Sequence, residues 1–229
     1  MKNSALFQIA KHEWRLIFKE PRFLVPFLIT PLVLIGIQVF VTYFRPLGSD
    51  AETLLMARSL LLMLAILAPS AAVPLGADSF AGEKERNTYE ILLCLPVKLS
   101  SMFWGKVWGI FPMPVLMGWM GQSALLLILN TRGLIYHGFL MDVGKAMLLT
   151  PFIGLFLAAF STLMSLMADS VRGAAQLTSL LMLGIFFITL LSANGLFNSV
   201  EIYFGYVLVL GLGSVACLLL AKSRFSKLN

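Results

Sequence analysis

Polar and apolar positions along the chain fall into long alternating blocks. Six apolar runs, near residues 23–44, 55–77, 103–129, 146–168, 174–193 and 202–221, are each long enough to cross a hydrocarbon core, which takes about 20 helical residues. Asn194, Gly195, Asn198 and Glu201 separate the last two runs, which otherwise merge. Ahead of the first run, Leu6, Ile9, Trp14, Ile17 and Phe18 interleave with Lys11, His12, Glu13, Arg15 and Lys19 at roughly helical spacing. That pattern predicts an amphipathic helix lying in a membrane interface over residues 1–22, with Trp14 at the depth tryptophan favours and Pro21 ending it. The charges of this segment, followed by a run of full spanning length, are unlike a cleavable secretory signal. The expectation is an all-α polytopic membrane protein, one transmembrane domain over 1–229 with six transmembrane helices.

Composition agrees with the pattern. The chain is 59% hydrophobic and 12% charged, with a mean hydropathy of +0.90, whereas about a quarter of a soluble domain is charged. Of 17 Lys and Arg, only Arg45, Arg58, Arg132 and Lys145 fall in outer segments if the N-terminus is cytoplasmic. This positive-inside bias predicts cytoplasmic N- and C-termini. It also accounts for the net charge of +6 without any nucleic-acid partner.

The middles of the apolar runs hold no Asp, Glu, Lys, Arg or His, the groups on which proton-coupled transporters, voltage sensors and retinal-type pumps rely. His12 and His137 stand alone, and Cys94 and Cys217 are too isolated for a disulfide framework, so no metal site is expected. Ser161, Ser165 and Ser179 have no visible base partner, so no catalytic residue is expected either. Prolines 26, 31, 69, 74, 112, 114 and 151 fall in the first four runs, as hinges or as fixed kinks. Gly105 with Gly109, Gly118 with Gly121, Gly154 with Ala158, and Gly205 with Gly211 and Gly213 are candidates for close helix contact.

Between the second and third runs lies the densest charge, DSFAGEKERNTYEILLCLPVKLSSMFWGK, residues 78–106. Helical spacing from Gly82 to Leu95 puts Glu83, Asn87 and Glu90 on one face, places Arg86 to pair with Glu90, and groups Tyr89, Leu92 and Leu93, with Pro96 as the stop. A solvated loop that only anchors topology is one reading and a docking helix is the other. Asp78, Glu83, Glu85 and Glu90 exceed what orientation requires, because acidic residues hardly affect it.

Residues 82–106 resemble the signature loop of the type-2 ABC exporter permeases, the ABC-2 type, which share the ABCG-like fold. The matching positions are Glu83, Lys84, Glu85, Arg86, Leu92, Leu93, Pro96, Val97, Ser100, Ser101, Gly105 and Lys106. The family commonly has Gly after the Arg, where this chain has Asn87. The resemblance implies a cytoplasmic coupling loop over 78–101 whose coupling helix sits in a cleft of a separate ATPase. Glu83, Lys84, Glu85, Arg86, Tyr89, Glu90, Leu92 and Leu93 would carry that contact. Gly105-Lys106 and Gly144-Lys145 lack the following Ser or Thr of a phosphate-binding loop, so no cofactor is expected in this chain, and ATP and Mg would be bound by the partner.

The resemblance further implies two ATPase copies and a second permease copy, identical or paralogous, in a bacterial plasma membrane and in contact with its lipid. The second and fifth helices would line the path, with Met56, Met63, Leu67, Ser70, Gln176, Ser179, Phe186, Phe187 and Thr189 as candidates. The expected function is ATP-driven export, by alternating access, of an amphiphilic, lipid-like or small toxic compound. The alternatives are a haem-exporter-type or cation-efflux-type permease, an ATP-independent channel or scaffold, and an intramembrane enzyme.

Overall fold

The computed structural model describes residues 2–19, 21–44, 50–88, 98–131 and 138–227, and the described regular structure is helical throughout. The helices are α1 (Lys2–Lys19), α2 (Pro21–Phe44), α3 (Asp50–Leu67), α4 (Ala72–Glu85), α5 (Leu99–Ile110), α6 (Pro112–Thr131), α7 (Phe139–Met167), α8 (Val171–Leu191), α9 (Ala193–Asn198) and α10 (Val200–Lys227). Among the described residues, five segments are long and apolar enough to cross a membrane: Leu54–Glu85, Ser100–Thr131, Phe139–Met167, Val171–Leu191 and Val200–Ser226. The first expected crossing falls on the 24-residue helix α2, of which Leu32–Phe44 qualifies as a shorter apolar helix. Pro21, expected to close the amphipathic helix, opens α2, where its missing N–H has no partner to lose.

The prolines punctuate the spans as their chemistry dictates. A 3-10 turn at Ala68–Ala71, carrying Pro69, separates α3 from α4 within one crossing, and Phe111 separates α5 from α6 just before Pro112. Pro151 lies inside an unbroken α7. Proline there cannot donate to the carbonyl of Met147, and the Trp119 indole N–H supplies the bond instead, at 2.9 Å.

Helix α7 is the central post, packed against α3, α4, α6, α8 and α10, while α1 lies along α5. One core cluster gathers Leu61, Leu64, Leu125 and Leu149 from α3, α6 and α7. A second, toward the Lys106 end, holds Phe80, Phe103 and Phe225, with the Phe80 and Phe225 rings 5.1 Å apart. Some of the small residues do bring helices close. A Cβ on Gly109 would lie 2.7 Å from that of Glu13 on α1, and one on Gly118 would lie 2.3 Å from Thr150 Cγ2 on α7.

Two buried serines of α7 bond to the backbone of α4. Ser161 donates to the Val73 carbonyl at 3.1 Å. Ser165 donates to the Ala77 carbonyl at 2.7 Å and accepts from the amides of Phe80 and Ala81 at 3.0 and 2.8 Å. These hydroxyls, met in the sequence as unpartnered serines, are spent on helix–helix adhesion.

The opposite end closes around Arg58. Its guanidinium pairs with Asp142 at 2.9 Å, donates to Asn198 Oδ1 at 2.9 Å and lies over the Phe197 ring. Lys145 donates to the Phe197 carbonyl, and Tyr203 donates to the Lys145 carbonyl at 2.9 Å. Together they seat α9, the helix formed where Asn194, Gly195 and Asn198 interrupt the last two apolar runs, against α3 and α7.

The charged stretch departs from expectation. A continuous helix over Gly82–Leu95 does not form, because α4 stops at Glu85 and Asn87 takes a left-handed φ of 55°. The Thr88 amide reaches back to the Glu83 carbonyl at 2.9 Å and the Asn87 amide to that of Lys84 at 3.1 Å, a Schellman closure. Asparagine is among the few residues that tolerate this conformation, so Asn87 closes the helix where glycine would otherwise be favoured. Residues 89–97, with Tyr89, Glu90, Leu92, Leu93 and Cys94, lie outside the described residues.

Two substitutions test the cap. Asn87→Gly is expected to leave thermal stability in nanodiscs unchanged or slightly raised. Asn87→Val, β-branched and forced to positive φ, is expected to cost about 1–2 kcal/mol. Equal melting temperatures for the two variants would remove the cap from the account.

Candidate functional site

The last turns of α4 bring together most of the chemistry of the charged stretch. Lys106, on the second turn of α5, is buried, with only 4% of its side chain exposed. Its ammonium has three protons, and three acceptors surround it: the Ser79 carbonyl at 2.7 Å, Glu83 Oε1 at 2.6 Å and Glu13 Oε1 at 3.4 Å. The Phe80 ring centroid lies 5.2 Å from the nitrogen, adding a cation–π contact. A single charge thereby joins α1, α4 and α5. The Trp14 indole N–H reinforces the joint by donating to the Gly109 carbonyl at 2.8 Å.

The next residues of α4 each reach a different element. Lys84 donates to the Leu166 and Ala168 carbonyls at 2.7 and 3.2 Å, occupying carbonyls that the C-terminus of α7 leaves without helical donors. Glu85 accepts from the Val171 amide at 2.8 Å at the start of α8, where Ser170 also caps Gly173. Arg86, expected to pair with Glu90, bonds to both carboxylate oxygens of Asp78 at 2.9 and 3.1 Å. Gly82 leaves room for that carboxylate, since a Cβ there would meet Asp78 Oδ1 at 2.2 Å.

The expected docking set therefore divides. Glu83, Lys84 and Glu85 tie α4 to its neighbours within the chain, while Arg86, Asn87 and Thr88 are exposed at the turn. Glu13, Asp78 and Lys106 complete the cluster, and sequence reasoning gave them no such role. The available signal was Lys106 itself, a lone cation inside the apolar run MFWGKVWGI.

The expected path residues divide as well. Met56, Met63 and Phe186 line a common cavity between α2, α3 and α8. Leu67 packs on the core and Ser70 donates to its carbonyl at 2.6 Å. Gln176, Ser179 and Phe187 are exposed, whereas Thr189 is buried with its hydroxyl on Ile185 and Tyr206.

Removing the buried cation is expected to be severe. Lys106→Met leaves Glu83 and Glu13 facing each other in the interior, at a cost of about 3–5 kcal/mol. Because the groups touch, Lys106→Met and Glu83→Gln should couple by at least about 1 kcal/mol in a double-mutant cycle of thermal unfolding. Additive losses would show that the two residues do not act together.

No curated protein matches the chain. The model of the ABC-2 family transporter proteins matches residues 7–204, most of the chain and every element from α1 to the start of α10. With long apolar helices around this charged joint, the chain is a multi-pass membrane permease that belongs to the ABC-2 transporter family.

Proposed function

We propose that this chain is the membrane half of an ATP-driven exporter, with the Lys106 end facing the cytoplasm and α2 serving as the first of six crossings. A separate ABC ATPase, present in two copies, binds ATP and Mg and docks on the segment that follows Thr88. A second permease copy, identical or paralogous, completes the path in a bacterial plasma membrane, and the cargo is an amphiphilic, lipid-like or small toxic compound.

One observation carries this reading. The segment proposed to meet the ATPase continues directly from a helix end that is bonded to α5, the end of α7 and the start of α8, and that reaches α1 through Lys106 of α5. A push on that segment reaches all four at once. Breaking a buried ion pair costs about 3–5 kcal/mol, so the joint moves as a body rather than coming apart. Displacement of several packed helices together is what alternating access requires.

The internal ties also decide how docking is tested. Reversing Glu83 would unseat Lys106, so the informative positions are Tyr89 and Glu90. With a partner ABC ATPase that co-purifies with the unaltered permease co-expressed, Tyr89→Ala combined with Glu90→Lys is expected to lower co-purification and transport-linked ATP hydrolysis at least tenfold, about 1.4 kcal/mol. The melting temperature of the permease should not change. Normal association and hydrolysis in that variant would place docking elsewhere.

A further inference from the structure

The cavity lined by Met56, Met63 and Phe186 has a volume of about 470 Å³, within the range of small-molecule sites. Its α3 wall is one helical face: Glu52, Met56, Ser59 and Met63 follow one another at spacings of three or four residues. At 1.5 Å per residue this face runs about 16 Å, roughly one leaflet. Val41 of α2 and Phe186 of α8 close the sides.

The lining is apolar except at two positions. The Ser59 hydroxyl donates to the Leu55 carbonyl at 2.8 Å. Glu52, exposed at the α3 N-terminal limit of the cavity, makes no ion pair among the described residues. The nearby cation on the same helix, Arg58, does not line the cavity and is engaged by Asp142 and Asn198. Among the described residues, Glu52 is the one charged group lining the cavity, a carboxylate at the end of an apolar slot.

We propose that this cavity binds a lipophilic monocation, its apolar body among the methionines and Phe186 and its charge toward Glu52. The proposal rests on the export reading, in which the cavity opens toward the outer leaflet, and it narrows the cargo class to cations. An apolar slot of this volume accepts a body of either charge or none. The carboxylate is what discriminates, stabilising the cation through a partly low-dielectric path and repelling an anion of the same shape.

Tetraphenylphosphonium and tetraphenylborate, matched in shape and opposite in charge, test it. Binding of each is measured by equilibrium dialysis to the full chain in nanodiscs, without ATPase or nucleotide, after subtraction of empty discs. The expected result is saturable tetraphenylphosphonium binding that Glu52→Gln weakens about threefold to tenfold, with tetraphenylborate binding unchanged or strengthened. Met63→Trp, which fills the slot, should reduce binding of both. Three outcomes would overturn the proposal: no saturable cation binding, cation binding indifferent to Glu52→Gln, or equal weakening of both ions. Because no ATPase is present, failure here leaves the docking experiment untouched, and failure of docking leaves this result standing.

Discussion

The ammonium of Lys106 is the constraint on which the structure turns. A charge buried among the aromatic rings of Phe80 and its neighbours is tolerable only if it is paired and hydrogen-bonded, and here Ser79 and Glu83 accept from it while Glu13 adds a second carboxylate at 3.4 Å. Meeting that demand fixes three elements at once: Glu13 holds α1 against α5, while Ser79 and Glu83 set the depth and rotation of α4. The close approach at Gly109 and the Trp14 hydrogen bond fit the same placement of α1. An amphipathic helix that composition alone would leave lying on a membrane surface becomes part of the helical body.

From this joint the rest follows by proximity. Helix α4 carries its last charges, Lys84 and Glu85, to the end of α7 and the start of α8, and a Schellman turn at Asn87 closes it. Above it, Ser165 bonds three backbone groups of α4, so the helix broken at Ala68–Ala71 is held along its lower half by hydroxyls rather than by an uninterrupted ladder. At the far end Arg58 performs a similar service for α9. The ionisable groups of these two clusters are thus held near the two ends of the crossings, by carboxylates or by backbone carbonyls, while the middles are left to leucine, methionine and phenylalanine.

Much of this was legible in the sequence, and what was not has a physical cause. The crossings stand out because a membrane demands long apolar helices, and the breaks at Pro69 and Pro112 because proline removes a donor. Pro151 is different. Its helix stays whole because Trp119, more than thirty residues earlier, caps the freed carbonyl, and no local rule foresees that. The end of α4 was misplaced because apolar periodicity continues through Tyr89, Leu92 and Leu93, while an asparagine in left-handed conformation leaves only a faint signal. The Lys106 cluster was hidden for another reason. Positive-inside counting treats each charge singly, whereas Glu13, Glu83 and Lys106 are far apart in sequence and meet only in the fold.

The most direct test of this account is hydrogen exchange, followed by mass spectrometry on the protein in nanodiscs, comparing wild type with Lys106→Met. If the buried ammonium joins α1, α4 and α5, its loss should speed exchange in α1 and in the last turns of α4 together, while α9 and the Arg58 end keep their protection. Exchange that rises only within α5, or equally along the whole chain, would contradict the claim that one lysine holds these helices as a unit.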